Sequence, residues 1–507
     1  MRYASIIGLE IHVRLKTATK MFCRCPNVPE ITPPNTAICP VCTGQPGALP
    51  AVNEQAIRLG IRVGLALNST IPDRASFDRK NYFYPDLPKG YQITQYDHPI
   101  VQGGAVQIES SLAADGTRTI GITRAHLEED AAKNIHDTAT GATFVDYNRA
   151  SAPLLEIVTE PDIRSPQEAK TFLQELQALL RAIHASDADM EKGYMRCDAN
   201  ISLLPIDEDG HALQRDFNPK VEIKNMNSFR SVERAIQFEI ERQSAIYNAN
   251  GIVASETRGW DDVRNETVSQ RSKETSADYR YFPEPDLPDI DLVRVREEER
   301  ARLPELPAET RFRLQDEYNF TKDDARLIVE RGWTSFAEQT MGELGGWLEA
   351  RDTSGTSGGE LLAARRAEVA KLFSNWLLNK LAGLLAERHL HLADAKIDAE
   401  NMAEFLQIVF EGTINSTNAQ KLLTLMIETG ADPSHLLEEH SLGQMGDASA
   451  IEDAIRDIIA ANPTQTEQVR NGKEAVLKWF VGQVMKATEG RVDPKSAEDL
   501  LRKELLG

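Results

Sequence analysis

Hydrophobic and polar residues alternate along several short segments of residues 1–294. In Ser5–Leu15, the apolar residues Leu9, Ile11 and Val13 alternate with polar ones. Five further segments show the same tendency: Ala105–Glu109, Thr119–Arg124, Leu154–Val158, Ala199–Leu204 and Val221–Lys224. Successive side chains of a strand point to opposite faces, so this pattern predicts half-buried β-strands. Few helical patterns interrupt them, which favours a largely antiparallel sheet.

Two amphipathic helices are predicted within the same region. The first begins with Ser165 as N-cap and Pro166 at the first helical position, and Glu168 completes a capping box. Its apolar face comprises Phe172, Leu173, Leu176, Leu179, Leu180 and Ile183. The second begins after Ser228. Its inward residues are Phe229, Val232, Ile236 and Ile240.

The pattern changes after a proline-rich stretch that ends at Pro288. Beyond Arg296 the chain is rich in Glu, Arg, Leu and Ala at helical spacing, with a flexible loop predicted at Asp352–Glu360. A last helical module follows Asn401, so the sequence predicts an α+β fold. The three predicted domains are residues 1–294, 295–400 and 401–507.

Charge and composition narrow the class of protein. The chain has 507 residues, 41% of them hydrophobic, which is enough to fill several cores. The net charge of −21 gives no general support to nucleic-acid binding, so any RNA contact requires a local basic patch. No apolar run is long enough for a membrane span, and Glu10 interrupts the first one. These features predict a cytoplasmic protein without a membrane segment.

Four of the five cysteines form two close pairs. Cys23 and Cys25 lie in a C-x-C pair, and Cys39 and Cys42 lie in a C-x2-C pair within a Pro/Gly-rich loop. Four thiolates from two turns can surround one tetrahedral zinc ion, and such a site has no open position, so the metal would be structural. The alternative is four reduced thiols in a surface loop. Cys197 is predicted to be a small buried residue.

Carboxylates accompany histidine in several strand segments. Glu10 and His12 share one face of the first strand, and Glu156 interrupts an apolar strand, where a lone charge is costly. Further polar residues of this kind are His126, Glu128, Glu129, Asp130 and Asp198. Acids and an imidazole from separate strands can hold Mg²⁺ with substrate phosphates. Capped turns and surface ion pairs are the alternative for each residue taken singly.

The segment Phe77–Ile100 collects tyrosines, prolines and cations. Lys80 and Lys89 can meet phosphates. The rings of Tyr82, Phe83, Tyr84 and Tyr91 offer flat faces to a base. The alternative is a structural loop that packs on the sheet. A similar composition recurs at Ser276–Asp286.

The last helices carry the one local basic excess that the sequence shows. From Arg470 to Gly507 there are eight cations and six acids. Lys473, Lys478 and Lys486 could form a basic stripe together with Trp479. The alternative is an ordinary solvated amphipathic helix.

Long motifs in a fixed order resemble one known family. They are "GLEIHVRLKT", "FDRKNYFYPDLPKGYQITQ", "HLEEDAAKNIH", "DYNRASAPLLEIVTEPDIRSP", "EKGYMRCDANISL", "VEIKNMNSFRSVERAI", "SADYRYFPEPDLP" and "FVGQVMKATEGR". Together they resemble the B-type subunits of the aspartyl/glutamyl-tRNA(Asn/Gln) amidotransferases, essentially from end to end. The segment "DTSGTSGG" departs from that family as an inserted loop, and the cysteine pairs vary within it.

The resemblance implies a cradle domain, a helical domain and a helical tail. It also implies a reaction in which ATP phosphorylates the side-chain carboxylate of Glu-tRNA(Gln) or Asp-tRNA(Asn), and ammonia displaces the phosphate. Glu10, His12 and Glu129 would be magnesium or channel-mouth residues, with Glu128 and Glu156 close by. The residues implied for ATP or the tRNA terminus are Lys80, Tyr82, Tyr84, Lys89 and Tyr91. Those implied for the outer corner of tRNA are Lys473, Lys478, Trp479, Lys486 and Arg491.

The ammonia source is expected on another chain. The sequence has no lysine with paired serines in a Gly/Ser-rich core of the amidase type, so the family's glutaminase subunit and small third subunit are the expected partners. Two other hypotheses remain at this stage. One is a non-catalytic tRNA-binding and assembly subunit, and the other is a free-standing ATP-dependent ligase.

Overall fold

The computed structural model describes residues 2–29, 31–272, 279–351, 365–443, 448–471, 473–488, 492 and 494–506. The chain divides into two compact units, Met1–Leu306 and Pro307–Gly507. The first is rich in strands and the second is helical, which confirms the α+β prediction. Within the described ranges, no helix is long and apolar enough to cross a membrane.

A nine-stranded sheet forms the centre of the first unit. The strands of this unit are β1 (Arg2–Arg14), β2 (Arg74–Ala75), β3 (Asp78–Asn81), β4 (Tyr91–Thr94), β5 (Val101–Gln102), β6 (Ala105–Glu109), β7 (Thr117–Glu129), β8 (Lys133–His136), β9 (Thr143–Asp146), β10 (Pro153–Thr159), β11 (Met195–Ile206), β12 (Val221–Met226), β13 (Glu256–Asp261), β14 (Glu266–Ser272), β15 (Phe282–Pro283) and β16 (Ile290–Asp291). The order across the large sheet is β14-β13-β12-β11-β1-β10-β7-β5, with β6 also paired to β7. All neighbours are antiparallel except β12 and β13, which are parallel.

The alternation along β1 decides which face of the sheet is buried. Leu9, Ile11 and Val13 are at most 1% exposed and belong to the core, while Glu10 and His12 point to the opposite, polar face. The helices of this unit are α1 (Glu54–Ala66), α2 (Pro166–Ala182), α3 (Phe229–Asn248) and α4 (Val293–Arg300). The apolar residues of α1, α2 and α3 share this core with the strands. One face of the sheet is therefore left for polar residues.

The two predicted helix starts are confirmed, with one change at the first. Ser165 accepts a hydrogen bond from the Glu168 N–H at 3.1 Å, and Ser228 caps α3 in the same way. The Glu168 carboxylate, however, accepts from the Arg164 N–H at 2.7 Å rather than from the Ser165 N–H of a capping box. Ser110 and Arg118 also donate to this carboxylate, so a buried acid ties α2 to the sheet.

Helix α4 belongs to the first unit because buried charges fasten it there. Glu299 is fully buried and accepts from Arg58 at 3.2 Å and from Arg62 at 2.6 Å, both on α1. Removing one partner of such a buried network leaves an uncompensated charge, at a cost of about 3–5 kcal/mol. This anchoring extends the first unit to Leu306.

The second unit consists of helices around two hydrophobic cores. Its elements are Pro307–Tyr318, Lys322–Glu330, Thr334–Arg351, Arg366–Phe373, the π-helical Ser374–Leu381, Ala382–Glu387, the short 3-10 turn Leu392–Asp394, Ala399–Phe410, Ser416–Thr429, Pro433–Glu439, Ala448–Ala461, Pro463–Arg470, Glu474–Ala487 and Pro494–Leu506. One core holds residues between Leu314 and Leu442, and the other holds residues between Ile451 and Leu505. The predicted loop at Asp352–Glu360 lies outside the described residues, and the three-domain division stays a prediction.

Candidate functional site

An imidazole and two carboxylates meet on the polar face of the large sheet. The antiparallel registers set His12 of β1 opposite Glu156 of β10, and Glu156 opposite His126 of β7. His12 Nε2 lies 3.3 Å from Glu156 Oε2 and 3.5 Å from Glu128 Oε1. The three residues offer ligand atoms that all lie within 4.8 Å of one another. Three separate strands thus build a group that is able to hold a cation.

The groups of this acid cluster, His12, Glu128 and Glu156, shift one another's protonation. Burial lowers the pKa of His12, but the hydrogen bond with Glu156 and the charge of Glu128 raise it to about 9. Burial and repulsion from Glu156 raise the pKa of Glu128 to about 7. Although burial raises the pKa of Glu156, its hydrogen bond with His12 and the charge of His126 hold that pKa well below its usual range. Two acids so close together favour a proton or a cation between them.

A second imidazole, that of His126, lies behind the acid cluster. Its Nε2 atom is 3.5 Å from Glu156 Oε2, and its Nδ1 atom is buried without a hydrogen-bond partner among the described residues. Burial lowers the pKa of His126 to about 4, so the ring is neutral at physiological pH. Sequence reasoning grouped His126 with the acids but assigned it no role. His126 and Glu128 are two residues apart in one strand, and this spacing was the signal that their side chains share one face of the sheet.

Two residues of the acid cluster, His12 and Glu128, line a cavity of about 370 Å³. The residues that line it are His12, Lys80, Tyr82, Gln92, Glu128, Asp130, Ala131, Leu154, Arg196, Cys197, Asp198, Lys224, Asn225, Met226 and Asn227. Three of them, Lys80, Arg196 and Lys224, are cations. Arg196 donates to Asp130 at 3.0 Å, and Lys224 pairs with Asp198 and, at 2.9 Å, with Glu222. The cavity thus brings cationic and acidic side chains together, and two of its three lysine and arginine side chains are paired with acids.

Sequence reasoning missed Arg196 and Lys224 as site residues. Both belong to strands whose neighbours in the sheet are distant in the chain, since Arg196 lies opposite His12 only through the pairing of β1 with β11. Their alternation with apolar residues predicts strands but does not reveal which strands pair. The pairing is what brings these cations to the acids.

The structure separates Glu10 and Glu129 from the acid cluster. Glu10 forms a second group with Asp198 and Glu222, whose ligand atoms lie within 4.8 Å of one another, and accepts from Asn200 at 3.1 Å. Glu129 alternates with Glu128 along β7 and points to the other side of the strand, where it is 2% exposed. The predicted grouping of Glu10, His12 and Glu129 is therefore not formed, because adjacent strand residues face opposite ways.

The predicted nucleotide-binding set is also divided. Lys80 and Tyr82 line the cavity, whereas Tyr84 is 59% exposed. Lys89 and Tyr91 instead line a separate cavity of about 220 Å³. This cavity lies beside the loop that carries Cys39, Cys42 and Gly44, here called the cysteine loop. Burial and the charge of Glu128 raise the pKa of Tyr82, so its hydroxyl stays protonated.

The two tyrosine-rich segments of the sequence form one aromatic cluster. The ring of Tyr82 lies 6.0 Å from that of Tyr279, and Tyr96 stacks on Tyr281 with ring centroids 4.1 Å apart. The Lys80 ammonium lies 4.8 Å from the centre of the Tyr279 ring, in the range of a cation–π contact. Much of the aromatic surface therefore supports Lys80 at the edge of the cavity.

The four cysteines converge into a further metal-capable cluster, distinct from the acid cluster. All four Sγ atoms lie within 4.8 Å of one another, and those of Cys39 and Cys42 are 3.8 Å apart. A tetrahedral ion with Zn–S bonds of about 2.3 Å requires S–S edges of about 3.8 Å, so the spacing fits zinc. The hydrogen bond with Cys23, opposed by burial and aided by the charge of the buried Lys20, lowers the pKa of Cys42 to about 4. Cys197, the fifth cysteine, is buried as predicted.

The predicted tRNA-binding residues lie on and beside one helix of the second unit. Lys478 and Lys486 are exposed on Glu474–Ala487, and Trp479 is 39% exposed. With 3.6 residues per turn these three share one side of the helix. Lys473 is exposed at its N-terminus, and Arg491 lies outside the described residues.

Comparison with known proteins agrees with this architecture. Residues 5–297 match the family described as the GatB/GatE catalytic domain, and residues 360–505 match the GatB domain. Three curated relatives are each named as the B-subunit of an aspartyl/glutamyl-tRNA(Asn/Gln) amidotransferase. That of Crocosphaera subtropica is 42% identical over all of this chain and 98% of its own length. Those of Thermotoga maritima and Halorhodospira halophila are also 42% identical, over the full length of both chains. The chain thus belongs to the B-subunit family of these amidotransferases, which confirms the resemblance predicted from its motifs.

Proposed function

We propose that this chain is the subunit of a tRNA-dependent amidotransferase that activates and amidates a carboxylate carried on tRNA. The substrate is Glu-tRNA(Gln), Asp-tRNA(Asn) or both, the phosphoryl donor is ATP and the nitrogen donor is glutamine. The observation that carries this proposal is the acid cluster of His12, Glu128 and Glu156, of which His12 and Glu128 line a cavity that Lys80, Arg196 and Lys224 also line. A subunit that only bound tRNA would have no use for this arrangement.

The acid cluster suits Mg²⁺ bound together with phosphates. Burial and then repulsion from Glu156 raise the pKa of Glu128, and the repulsion between these closely spaced carboxylates favours a divalent cation. Glu128 and Glu156 would supply oxygen ligands, with His12 completing the set directly or through water. When bound, the ion would neutralise charge that develops during phosphoryl transfer.

The chain's own cations would hold the triphosphate. Lys80, Arg196 and Lys224 converge on the cavity, and their charges complement phosphate oxygens. In the first step a side-chain carboxylate oxygen attacks the terminal phosphorus of ATP, the bond to the bridging oxygen breaks, and ADP leaves. The product is an acyl phosphate, which has a far better leaving group than a carboxylate.

Amidation completes the reaction. Ammonia attacks the acyl carbon, phosphate leaves with the bonding electrons, and the proton lost by nitrogen passes to water or to phosphate. The residues that line the cavity include no lysine with paired serines of the amidase type. We therefore propose that a glutaminase subunit supplies ammonia and that a small third subunit joins the pair. We propose that this reaction takes place in the cytoplasm, where aminoacyl-tRNA is made.

The second unit would contribute to tRNA binding. Lys478 and Lys486 can contact phosphates, and Trp479 can stack on an exposed base. We propose that Lys473 and Arg491 extend this surface. The domain limits 1–294, 295–400 and 401–507 remain part of the proposal.

The cysteine cluster would hold a structural zinc ion. Four thiolates leave no position open for substrate, so this ion would take no part in the reaction. It would instead close the loop 23–42 against the sheet.

The decisive test replaces Glu128 by Gln in the reconstituted complex. Amide formation should fall by about 10²–10³-fold, as expected when one group that stabilises developing charge is lost. Binding of tRNA and glutamine hydrolysis should persist. Glu208→Gln, on an exposed loop, is the matched control. Unchanged amide formation in Glu128→Gln would assign the chemistry to another chain.

A further inference from the structure

Glu129 is buried beside the cavity but on the reverse side of its wall. Its Oε1 atom accepts from the Lys89 ammonium at 2.5 Å and from the Ile93 N–H at 2.9 Å. The side chains of Lys89 and Glu129 are only 13% and 2% exposed, so the ion pair is largely removed from water. The Oε2 atom of Glu129 is buried and has no hydrogen-bond partner among the described residues. Stability alone does not favour such a pair, because an apolar replacement is often as stable.

The pair fastens the hairpin of β3 and β4 to the end of β7. The backbone carbonyl of Glu129 also accepts from Gln92 Nε2 at 2.8 Å. Both the main chain and the carboxylate of Glu129 therefore bind strand β4. Further along, Gln95 Oε1 accepts from the Leu127 N–H at 3.0 Å. The hairpin is therefore held at two points, and Glu129 controls the point closer to the cavity.

From this attachment a short chain of contacts reaches the cavity. Gln92 lies directly opposite Lys80 in the hairpin and accepts from the Tyr82 hydroxyl at 3.3 Å. Gln92, Lys80 and Tyr82 all line the cavity, as do Glu128 and Asp130, the neighbours of Glu129 in sequence. A shift at Glu129 would move the cationic wall and the acidic floor relative to each other.

The cysteine loop supports the other end of the pair. Gly44 adopts a positive φ of 67°, and a Cβ atom there would lie 2.9 Å from Lys89 Cγ and 3.0 Å from the Pro88 carbonyl oxygen. The loop thus packs closely on Lys89 and limits its movement. Lys89 and Tyr91 line the cavity between this loop and the hairpin, and they do not line the cavity that holds the acids.

We propose that Glu129 and Lys89 are positioning residues, which hold Lys80 and Tyr82 over the acid cluster, and that neither residue binds the metal ion or ATP. This inference rests on the proposed function, since it assumes that the cavity takes a nucleotide triphosphate. It replaces the expectation that Glu129 is a magnesium ligand. A charged pair suits the task because its geometry is directional, and an apolar contact would allow the hairpin to slide.

The test compares four variants of the assembled complex: Glu129→Gln, Lys89→Met, the double variant Lys89→Met/Glu129→Gln, and Glu128→Gln. Mn²⁺ replaces Mg²⁺ as a spectroscopic probe, and its affinity is measured by electron paramagnetic resonance. The KM for ATP and the kcat for amide formation are measured separately, and a thermal melt checks folding.

Glu129→Gln and Lys89→Met should bind Mn²⁺ as the unaltered complex does, while their KM for ATP rises by about tenfold to a hundredfold through misplaced contacts. The double variant should keep the raised KM for ATP, because a neutral Met–Gln contact does not restore the directional ion pair, even though it leaves no buried charge without a partner. Glu128→Gln should lose Mn²⁺ affinity.

Two results would overturn the inference. A loss of Mn²⁺ affinity in Glu129→Gln as large as that in Glu128→Gln would make Glu129 a ligand. An unchanged KM for ATP in both single variants would leave the pair a purely structural role, whatever the melting temperature. If Glu128→Gln itself kept full amide formation, the proposed function would fail instead, so the two failures are distinguishable.

Discussion

The acid cluster and the cysteine cluster are both able to hold a metal ion, yet they are built on opposite plans. His12, Glu128 and Glu156 come from three different strands, and His12 and Glu128 line an open cavity. The four cysteines come from one loop region, and four thiolates leave a tetrahedral ion no free position. An open ligand set can share its ion with substrate, whereas a closed one can only stabilise the fold. The position of each cluster, more than its affinity for metal, therefore distinguishes the cluster proposed for catalysis from the one proposed to stabilise the fold.

The largest effect is expected from Glu156→Gln, which tests whether the acid cluster serves catalysis and not stability. Loss of the Glu156 charge removes a cation ligand and the hydrogen-bond partner of His12, so amide formation should fall by about 10²–10³-fold. The melting temperature should fall by no more than a few degrees, because Gln keeps the size of the side chain and a carbonyl oxygen that can accept from His12. The amide yield of the reconstituted complex and a thermal melt measure the two quantities. A large drop in melting temperature with normal activity would reverse the roles assigned to the two clusters.

The converse experiment is Cys42→Ser. Elemental analysis should find about one zinc per unaltered chain and none in the variant, since a hydroxyl is a poor zinc ligand. The variant should melt several degrees lower, and residues near the cysteine loop should exchange amide hydrogens faster. Cys197→Ser is the matched control and should retain zinc. A metal-free unaltered protein with four titratable thiols would refute the site.

The protonation of the acid cluster predicts a moderate pH effect on the metal-free protein. The pKa of His12 is raised from 6.5 to about 9 in the fold, so its contribution to stability is complete below pH 6.5 and is lost as pH rises through 9. The raised pKa of Glu128 acts in the same direction between pH 4.5 and about 7. The melting temperature should fall by roughly 2–4 °C from pH 6.5 to 9.5, beyond the change seen in a His12→Asn control. A melting temperature that rose with pH in the unaltered protein would contradict these shifts.

The smallest effect is expected in the helix Glu474–Ala487, which contributes no residue to either metal-capable cluster. Lys478→Ala should weaken tRNA binding by roughly threefold and reduce the salt dependence of binding by about one counterion, with kcat unchanged. Lys322→Ala, an exposed lysine elsewhere in the second unit, is the control. Equal effects of both substitutions on binding measured over a range of salt concentrations would remove the helix from the proposed tRNA surface.

Local patterns predicted much of the fold and one of the two clusters. The alternation in β1, the caps at Ser165 and Ser228 and the two cysteine pairs depend on residues close in sequence. Their predictions were confirmed as strands, helix starts and a four-sulfur cluster. Zinc itself remains a proposal.

The acid cluster was harder to predict because strand pairing over long distances creates it. His12 meets Glu156 and Arg196 only because β1 lies between β10 and β11, an order that no local pattern contains. The direction in which Glu129 points is a different matter. Ala125 and Leu127 are apolar at the same alternating phase, so the sequence already indicated that Glu129 faces the core.

The central position of β1 has one further consequence, which concerns the length of the strand. It pairs with β11 from Arg2 to Val13 and with β10 from Glu10 to Arg14. Deleting a single residue midway along it would rotate every later side chain by half a turn. The apolar side chains after the deletion would then face the cavity, and the His12 imidazole would face the hydrophobic core. The strand therefore depends on its number of residues as strictly as on their identities.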